Sequence, residues 1–247
     1  MTTPRALITR PRAEAEALAA LLARQGIEVV LEPMIEIVER RAPPLDLVGV
    51  QAILCTSANG VRSLARASTE RGVPVFAVGD ATAREARAAG FGEVASAGGA
   101  VEDLARLVGR RLCPSDGRLL HAAGSEVAGD LAGLLGAEGF MVERVVLYEA
   151  RAADALTVAT VRMIDGGEIA LALFFSPRSA AIFARLAEAA GVGAGLAATT
   201  AISISPAADA PLGDLPFRQR VVAAAPTQAA LLARIEQFAG QPATVHP

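Results

Sequence analysis

One unit is written into both halves of this chain, as Ile53-Leu-Cys-Thr-Ser-Ala-Asn-Gly-Val61 and as Leu173-Phe-Phe-Ser-Pro-Arg-Ser-Ala-Ala181. Each copy is a short apolar run, then a hydroxyl residue, then an alanine-rich helical pattern. The run reads as a buried parallel strand, and the hydroxyl marks the start of the helix that follows. In an open α/β sheet that junction lies at the carboxyl edge of the strands, where ligands bind. Unpaired backbone N–H groups and the helix dipole make it attractive to an anion. Two such junctions far apart in the chain predict two similar domains facing one ligand.

The pattern between them is regular. A strand at Arg5–Arg10 leads to an amphipathic helix at Arg12–Gln25, with Leu18, Leu21 and Leu22 on one face. Gly26 ends that helix, and a strand follows at Ile27–Leu31. Pro33–Pro44 then alternates at Ile35 and Ile37 and closes on two prolines, an extended linker. Strands fit Ala52–Thr56, Val75–Val78, Glu93–Ser96, Arg118–His121 and Val142–Tyr148, with helices at Asn59–Arg71, Ala81–Ala89, Val101–Arg111 and Val127–Glu138. A second extended stretch, Glu143–Ala153, carries Val145 and Leu147 on one side and is expected to lie antiparallel to Ile35–Arg40. The alternation resumes with helices at Leu156–Asp165, Ser179–Ala190 and Thr227–Phe238 and strands at Ile169–Ser176, Ala201–Ser205 and Val221–Ala224, before a loose tail at 239–247. The expected fold is α/β: two three-layer domains with parallel sheets, joined by a two-stranded linker. The first domain is discontinuous, 1–36 plus 150–247, and 37–149 is inserted in it.

Composition removes whole classes of chemistry. No lysine occurs, so all 23 basic residues are arginine. That excludes a Schiff-base or pyridoxal phosphate lysine and a P-loop lysine. Histidine occurs only at His121 and His246, so any histidine metal site or Ser-His-Asp triad would rest on His121. Cys55 and Cys113 show no CxxC spacing, which fits a reducing cytoplasm. A formal charge of -3 gives no sign of a nucleic-acid partner. No signal peptide is expected around Arg5, Arg10 and Arg12. The uncharged stretch Ala189–Ala208 reads as loop and buried strand rather than a membrane span.

Six junctions share the strand–small/hydroxyl–helix pattern. Three are Thr56-Ser57-Ala-Asn59, Gly79-Asp-Ala-Thr82 and Ala123-Gly124-Ser125; the others are Ser176-Pro-Arg178-Ser179, Ser205-Pro-Ala207 and Ala225-Pro-Thr227. Any one of them is an ordinary N-cap. Six together, built from small residues that admit a ligand to the backbone, point to a shared anionic ligand. One carboxylate at a helix N-terminus gains roughly 0.3–1 kcal/mol. Six to eight such contacts sum to roughly 2–8 kcal/mol, whose upper end approaches a micromolar dissociation constant. A ligand with many carboxylates could therefore be held with few salt bridges, whereas a single phosphate could not use six junctions.

Thr9-Arg10-Pro11, Thr56-Ser57, Val78-Gly79-Asp-Ala-Thr82, Val146-Leu-Tyr148, Phe175-Ser176-Pro177 and Pro226-Thr227 follow one another in the order seen in uroporphyrinogen-III synthases, and the chain resembles that family over nearly its whole length. The resemblance implies a cytoplasmic, cofactor- and metal-independent lyase acting on hydroxymethylbilane, a linear tetrapyrrole with eight carboxylates. Loss of its terminal hydroxyl leaves an azafulvene. Attack through the substituted carbon of ring D gives a spiro intermediate, which reopens and recloses with ring D inverted. It also implies a monomer, in at most transient contact with the preceding enzyme of the pathway, with no nucleic-acid or membrane partner. Tyr148, the only tyrosine, would donate a hydrogen bond to the departing hydroxyl. Substrate carboxylates would meet Arg10, Thr56, Ser57, Asn59, Gly79, Thr82, Gly124, Ser125, Ser176, Arg178, Ser179 and Thr227. Arg62, Arg66 and Arg106 read as solvated helix faces.

The chain departs from the family's usual Gly-Pro-Thr-Thr with Ser205-Pro-Ala-Ala208, next to Asp209. Glu126 stands where polar or basic residues are common in the family. From the residues alone two other readings remain open. One is an intracellular binding or sensor module for a polycarboxylate; the other is a cysteine hydrolase, which requires Cys55 and His121 to meet.

Overall fold

In both sheets the order of the strands in space reverses once relative to their order in the chain, and that reversal positions the site. The computed structural model describes residues 3–40, 45–127 and 129–239; the expected tail from 240 and the linker prolines at 43 and 44 lie outside them. The chain begins with β1 (Arg5–Ile8), α1 (Arg12–Arg24), β2 (Glu28–Leu31) and β3 (Ile35–Glu39). It continues through β4 (Val50–Cys55), α2 (Ala58–Ala67), β5 (Val75–Ala77), α3 (Asp80–Ala88), β6 (Val94–Ser96), α4 (Val101–Arg111), β7 (Arg118–Gly124), α5 (Leu131–Ala137) and β8 (Val142–Ala152). The last part holds α6 (Val158–Asp165), β9 (Ile169–Phe174), α7 (Pro177–Ala190), α8 (Gly193–Leu196), β10 (Thr200–Ser203), α9 (Pro206–Asp209), β11 (Gln219–Val222) and α10 (Gln228–Ala239). Two compact units result, Met1–Glu36 with Arg151–Pro247, and Ile37–Ala150.

The discontinuous unit holds a five-stranded sheet in the order β11-β10-β9-β1-β2, and every pair in it is parallel. Successive strands move outward from β1 in one direction and from β9 in the other, so the reversal falls between β1 and β9. Residues of α1 (Ala15, Leu18, Leu22) and α10 (Leu231, Ile235) pack on the face that carries Ala6, Ile8, Leu173 and Ile202. On the opposite face Phe183 of α7 meets Phe174 edge-on at 5.2 Å. Leu21, expected to join Leu18 and Leu22, is exposed, because the buried stripe of α1 is narrow and alanine-lined. Buried Glu32, just past β2, accepts from the N–H and the hydroxyl of Thr157 at 2.9 and 2.7 Å and so anchors α6.

The inserted unit holds a six-stranded sheet, β3-β8-β7-β4-β5-β6, parallel from β8 through β6. Here the reversal falls between β4 and β7. Val61 and Leu64 of α2 and Ala86 of α3 cover the face of Ile53, Cys55, Leu120 and Ala122. Leu104 and Val108 of α4 and Leu131 and Leu135 of α5 cover the face of Ala52, Leu54 and Leu119. Parallel strands buried on both faces read as continuous apolar runs, which is why their positions are legible in sequence. At the sheet edge, Arg40 N–H bonds the Leu147 carbonyl and Ala153 N–H bonds the Met34 carbonyl, so β3 and β8 run in opposite directions.

Two local departures from the sequence pattern matter for the site. The helix expected at Val127–Glu138 starts at Leu131, capped by Asp130, whose carboxylate accepts from Gly133 N–H. Ser125 is thus not a helix cap, because β7 runs on through Gly124. The second departure lies within β8, whose span to Ala152 agrees with the extended stretch expected at Glu143–Ala153. Its register against β7 slips from Ala123 opposite Val146 to Gly124 opposite Tyr148, leaving Leu147 as an extra residue. Strict alternation would put Tyr148 on the face opposite Leu147; the bulge brings both into the cluster with Val145 and Ala122.

Gly60 sets how closely α2 approaches the sheet, since an added Cβ there would sit 2.7 Å from the Ala122 carbonyl oxygen. Gly60→Ala is expected to lower unfolding stability by about 1–3 kcal/mol, read from the guanidinium midpoint. An unchanged midpoint would contradict this packing.

Candidate active site

In the inserted unit the site is built from the ends of β4 and β7. Ser57 leaves β4 in an extended conformation and caps α2, its Oγ accepting Gly60 N–H at 3.0 Å. The same Oγ lies 2.8 Å from the phenolic oxygen of Tyr148. Tyr148 reaches that position because of the bulge, and its ring lies against Gly124. A Cβ at Gly124 would fall 2.7–2.8 Å from ring carbons of Tyr148. Gly124, expected to approach substrate, makes room for the phenol. Ser125 donates its backbone N–H to the Tyr148 carbonyl at 2.9 Å.

The other face of the same strands carries a second cluster. Thr56 Oγ1 is 3.3 Å from His121 Nε2. His121 pairs with Leu54 on one side and Arg144 on the other. Burial, reinforced by the Arg144 charge, pushes the imidazole down to about 4, so it is neutral near pH 7. Arg144 Nη2 donates to the carbonyls of Gly124 and Ser125 at 2.7 and 2.8 Å. Sequence reasoning misses Arg144; its pairing with His121 follows from strand register, which no local pattern in β8 reveals. Cys55 neighbours Leu54 in the same strand, so its thiol faces the opposite side from His121. Burial pushes that thiol up to about 12, which removes the cysteine-hydrolase reading.

Farther along this edge Gly79 caps α3 with an extended backbone, and its missing side chain faces Gly99 Cα at 3.4 Å. Asn59 Oδ1 accepts from Arg62, which also pairs with Glu85 at 2.7 Å. Arg62 therefore braces α2 against α3 and is not a solvated face. Thr82 is buried in the first turn of α3.

In the discontinuous unit the reversal between β1 and β9 is flanked by Arg10 and Ser176. The Arg10 guanidinium stacks 4.5 Å over the Phe175 ring. It donates to Glu14 Oε2 at 3.1 and 2.6 Å and to Gln228 Oε1 at 3.0 Å. Ser176 caps α7; its Oγ accepts Ser179 N–H at 3.1 Å and donates to Ser179 Oγ at 3.0 Å. Ser179 is buried and supports Ser176 from behind, while Arg178 is exposed on the first turn. Thr227 Oγ1 accepts Ala230 N–H at 3.2 Å, at the start of α10. Asp209, beside the altered Ser205-Pro-Ala-Ala208 loop, pairs with Arg220 at 3.4 Å and accepts from Ser203 Oγ at 3.3 Å. Among the described residues no group of three or more His, Cys, Asp and Glu could hold a metal, and no helix is long and apolar enough to cross a membrane.

Two open, mainly parallel α/β units, each with small and hydroxyl residues at its strand-order reversal, define an α/β protein of the doubly wound class. The sequence model of the family described as uroporphyrinogen-III synthase HemD matches residues 16–233, and the chain belongs to that family. Its members are cofactor-independent cyclising lyases of haem biosynthesis. The fold is that of the uroporphyrinogen-III synthetase of Helicobacter pylori, at 18% identity and a TM-score of 0.62, over 95% of this chain and 99% of that one. A mutant uroporphyrinogen III synthase of the extremely thermophilic bacterium Thermus thermophilus aligns at 18% identity with a TM-score of 0.52, over 95% of this chain and 97% of that one. Among curated proteins none matches this sequence.

The buried His121 makes stability depend on acidity. Its folded pKa lies below the ordinary 6.5, so the unfolded chain takes up a proton first as pH falls. Stability is whole above pH 6.5 and is lost as pH falls toward 4, by on the order of 1–3 kcal/mol from this group. His121→Asn should flatten the fall in melting temperature over that window, and an unchanged slope would contradict the assignment.

Proposed function

We propose that this chain converts hydroxymethylbilane to uroporphyrinogen III with Tyr148 at the bond that breaks. Family membership carries the reaction, and the Ser57–Tyr148 hydrogen bond at the edge of the inserted unit supports the assignment of Tyr148. The phenol delivers its proton to the departing hydroxyl, the C–O electron pair leaves as water, and the pyrrole nitrogen supplies electrons to form the azafulvene. Ring D attacks through its substituted carbon, the spiro intermediate reopens and recloses, and the proton released on aromatisation returns to the phenolate.

Substrate carboxylates are received by first-turn N–H groups. The capping hydroxyls of Ser57, Ser176 and Thr227 each take one such N–H, and the others of the first turn remain donors toward a ligand. Thr56, Asn59, Gly79 and Thr82 line helix first turns or hold them in place, and Gly124 and Ser125 add the end of β7 beside Tyr148. Arg10 exchanges Glu14 for a substrate carboxylate, and exposed Arg178 adds a second cation. Holding the chain in one folded arrangement directs closure to the inverted isomer. The protein acts as a cytoplasmic monomer, with no more than passing contact with the enzyme that supplies its unstable substrate.

With freshly generated hydroxymethylbilane the protein should give the type III isomer after oxidation of the products. Type I alone at high enzyme would sink the reading, and binding without turnover would favour a sensor. Tyr148→Phe should lower kcat roughly 10- to 100-fold with KM within about threefold. Arg10→Gln should instead raise KM by about 5- to 20-fold with kcat largely kept; an unchanged KM would remove Arg10 from substrate binding.

A further inference from the structure

Ser57 is expected from sequence to meet substrate, yet its hydroxyl is engaged from two sides within the protein. A serine hydroxyl has one donor hydrogen and two acceptor lone pairs. Gly60 N–H occupies one lone pair at 3.0 Å, in the first turn of α2. The Tyr148 phenolic oxygen lies 2.8 Å away, within ordinary range for O–H···O. Either oxygen can donate in that pair, and the surroundings choose between the two. An N–H pointing into Oγ polarises the Ser57 O–H, and the positive end of the α2 dipole favours negative charge just beyond it. Both effects strengthen donation from Ser57 outward, toward the phenol.

We infer that Ser57 is a positioning residue for Tyr148: its hydroxyl donates to the phenolic oxygen, holds the phenol at the strand edge and stabilises the phenolate formed when the proton is given up. The inference rests on the role of Tyr148 proposed above. When that proton moves to the leaving oxygen, the O–H electron pair stays on the phenolate, where the Ser57 hydrogen bond and the helix terminus stabilise it. The relay runs Gly60 N–H, Ser57 O–H, Tyr148 O–H. Three backbone features hold it in register. Gly60 lets α2 approach β7, Gly124 admits the phenol ring, and the extra residue Leu147 turns Tyr148 toward Ser57.

Tyr148 is the only tyrosine and tryptophan is absent, so the ultraviolet difference absorbance of phenolate reports this one side chain. Ser57→Ala removes both the donor and the cap. Ser57→Asp keeps the cap, since its carboxylate accepts Gly60 N–H, but it cannot donate to the phenol. Ser57→Thr keeps both. Ser57→Ala and Ser57→Asp should move the alkaline phenol transition upward by roughly half a pH unit or more, Ser57→Asp the further. Both should lower kcat about 5- to 20-fold with KM within about threefold. Ser57→Thr should return the transition toward wild type and recover most of the lost turnover. If Ser57→Ala fails to fold, the Asp and Thr variants decide the matter, because both retain the cap. Transitions and kcat values for Ser57→Asp that match wild type, in a protein that still makes type III product, would overturn the inference. A wild-type protein that makes only type I product would instead overturn the role of Tyr148, while the phenol titration would still report the hydrogen bond.

Discussion

Burial of both faces of each sheet governs the rest of this molecule. Strands covered on both sides by α1, α7 and α10, or by α2, α3, α4 and α5, are mostly apolar along their length, with His121 in β7 and Thr200 and Ser203 in β10 as buried polar exceptions. Polar and hydroxyl residues are therefore concentrated where strands end. Because the strands bounded by these helices are parallel, their carboxyl ends share one edge in each sheet. The reversals at β1/β9 and β4/β7 send neighbouring connections to opposite faces, the arrangement at which open α/β sheets bind ligands. Arg10 and Ser176 flank one reversal, and Ser57 and Gly124 flank the other. Topology alone places them there.

What these residues do at the edge is less direct than their types suggest. The hydroxyls are spent largely on the protein itself: Ser57, Ser176 and Thr227 cap helices, and Ser179 holds Ser176. The donors left for an anion are backbone N–H groups, which no side-chain inventory counts. Arginine is likewise committed, with Arg10 on Glu14 and Arg144 on two carbonyls of the β7 loop. His121 is kept neutral by burial and by Arg144. On the function proposed above, a site of this kind carries little fixed charge and would grip a polyanion through many weak contacts. That accords with a chain whose formal charge is -3.

The changed loop at Ser205 follows the same pattern. Two alanines replace hydroxyl residues there, but Ser205 still caps its short helix through Ala208 N–H. Asp209 is turned to Arg220 and Ser203, so its charge is partly answered within the unit. The cap geometry survives where the side-chain chemistry is lost.

Strand and helix positions are legible because apolar runs and alanine-rich periods are local signals, and so is the division into a discontinuous unit and an insert, which needs only their order. Junction residues follow from the same logic. Sequence and structure part where one residue changes a register. Alternation in Glu143–Ala153 puts Tyr148 opposite Leu147, and the small residues after His121 suggest a cap at Ser125 where β7 continues. The sequence by itself determined that this chain makes parallel sheets edged with helix N-termini, since hydrophobic periodicity and caps act over a few residues. Only the tertiary structure decided which side chains meet there. A bulge, a glycine under a ring and an arginine on a distant carbonyl depend on contacts between strands that local sequence does not encode.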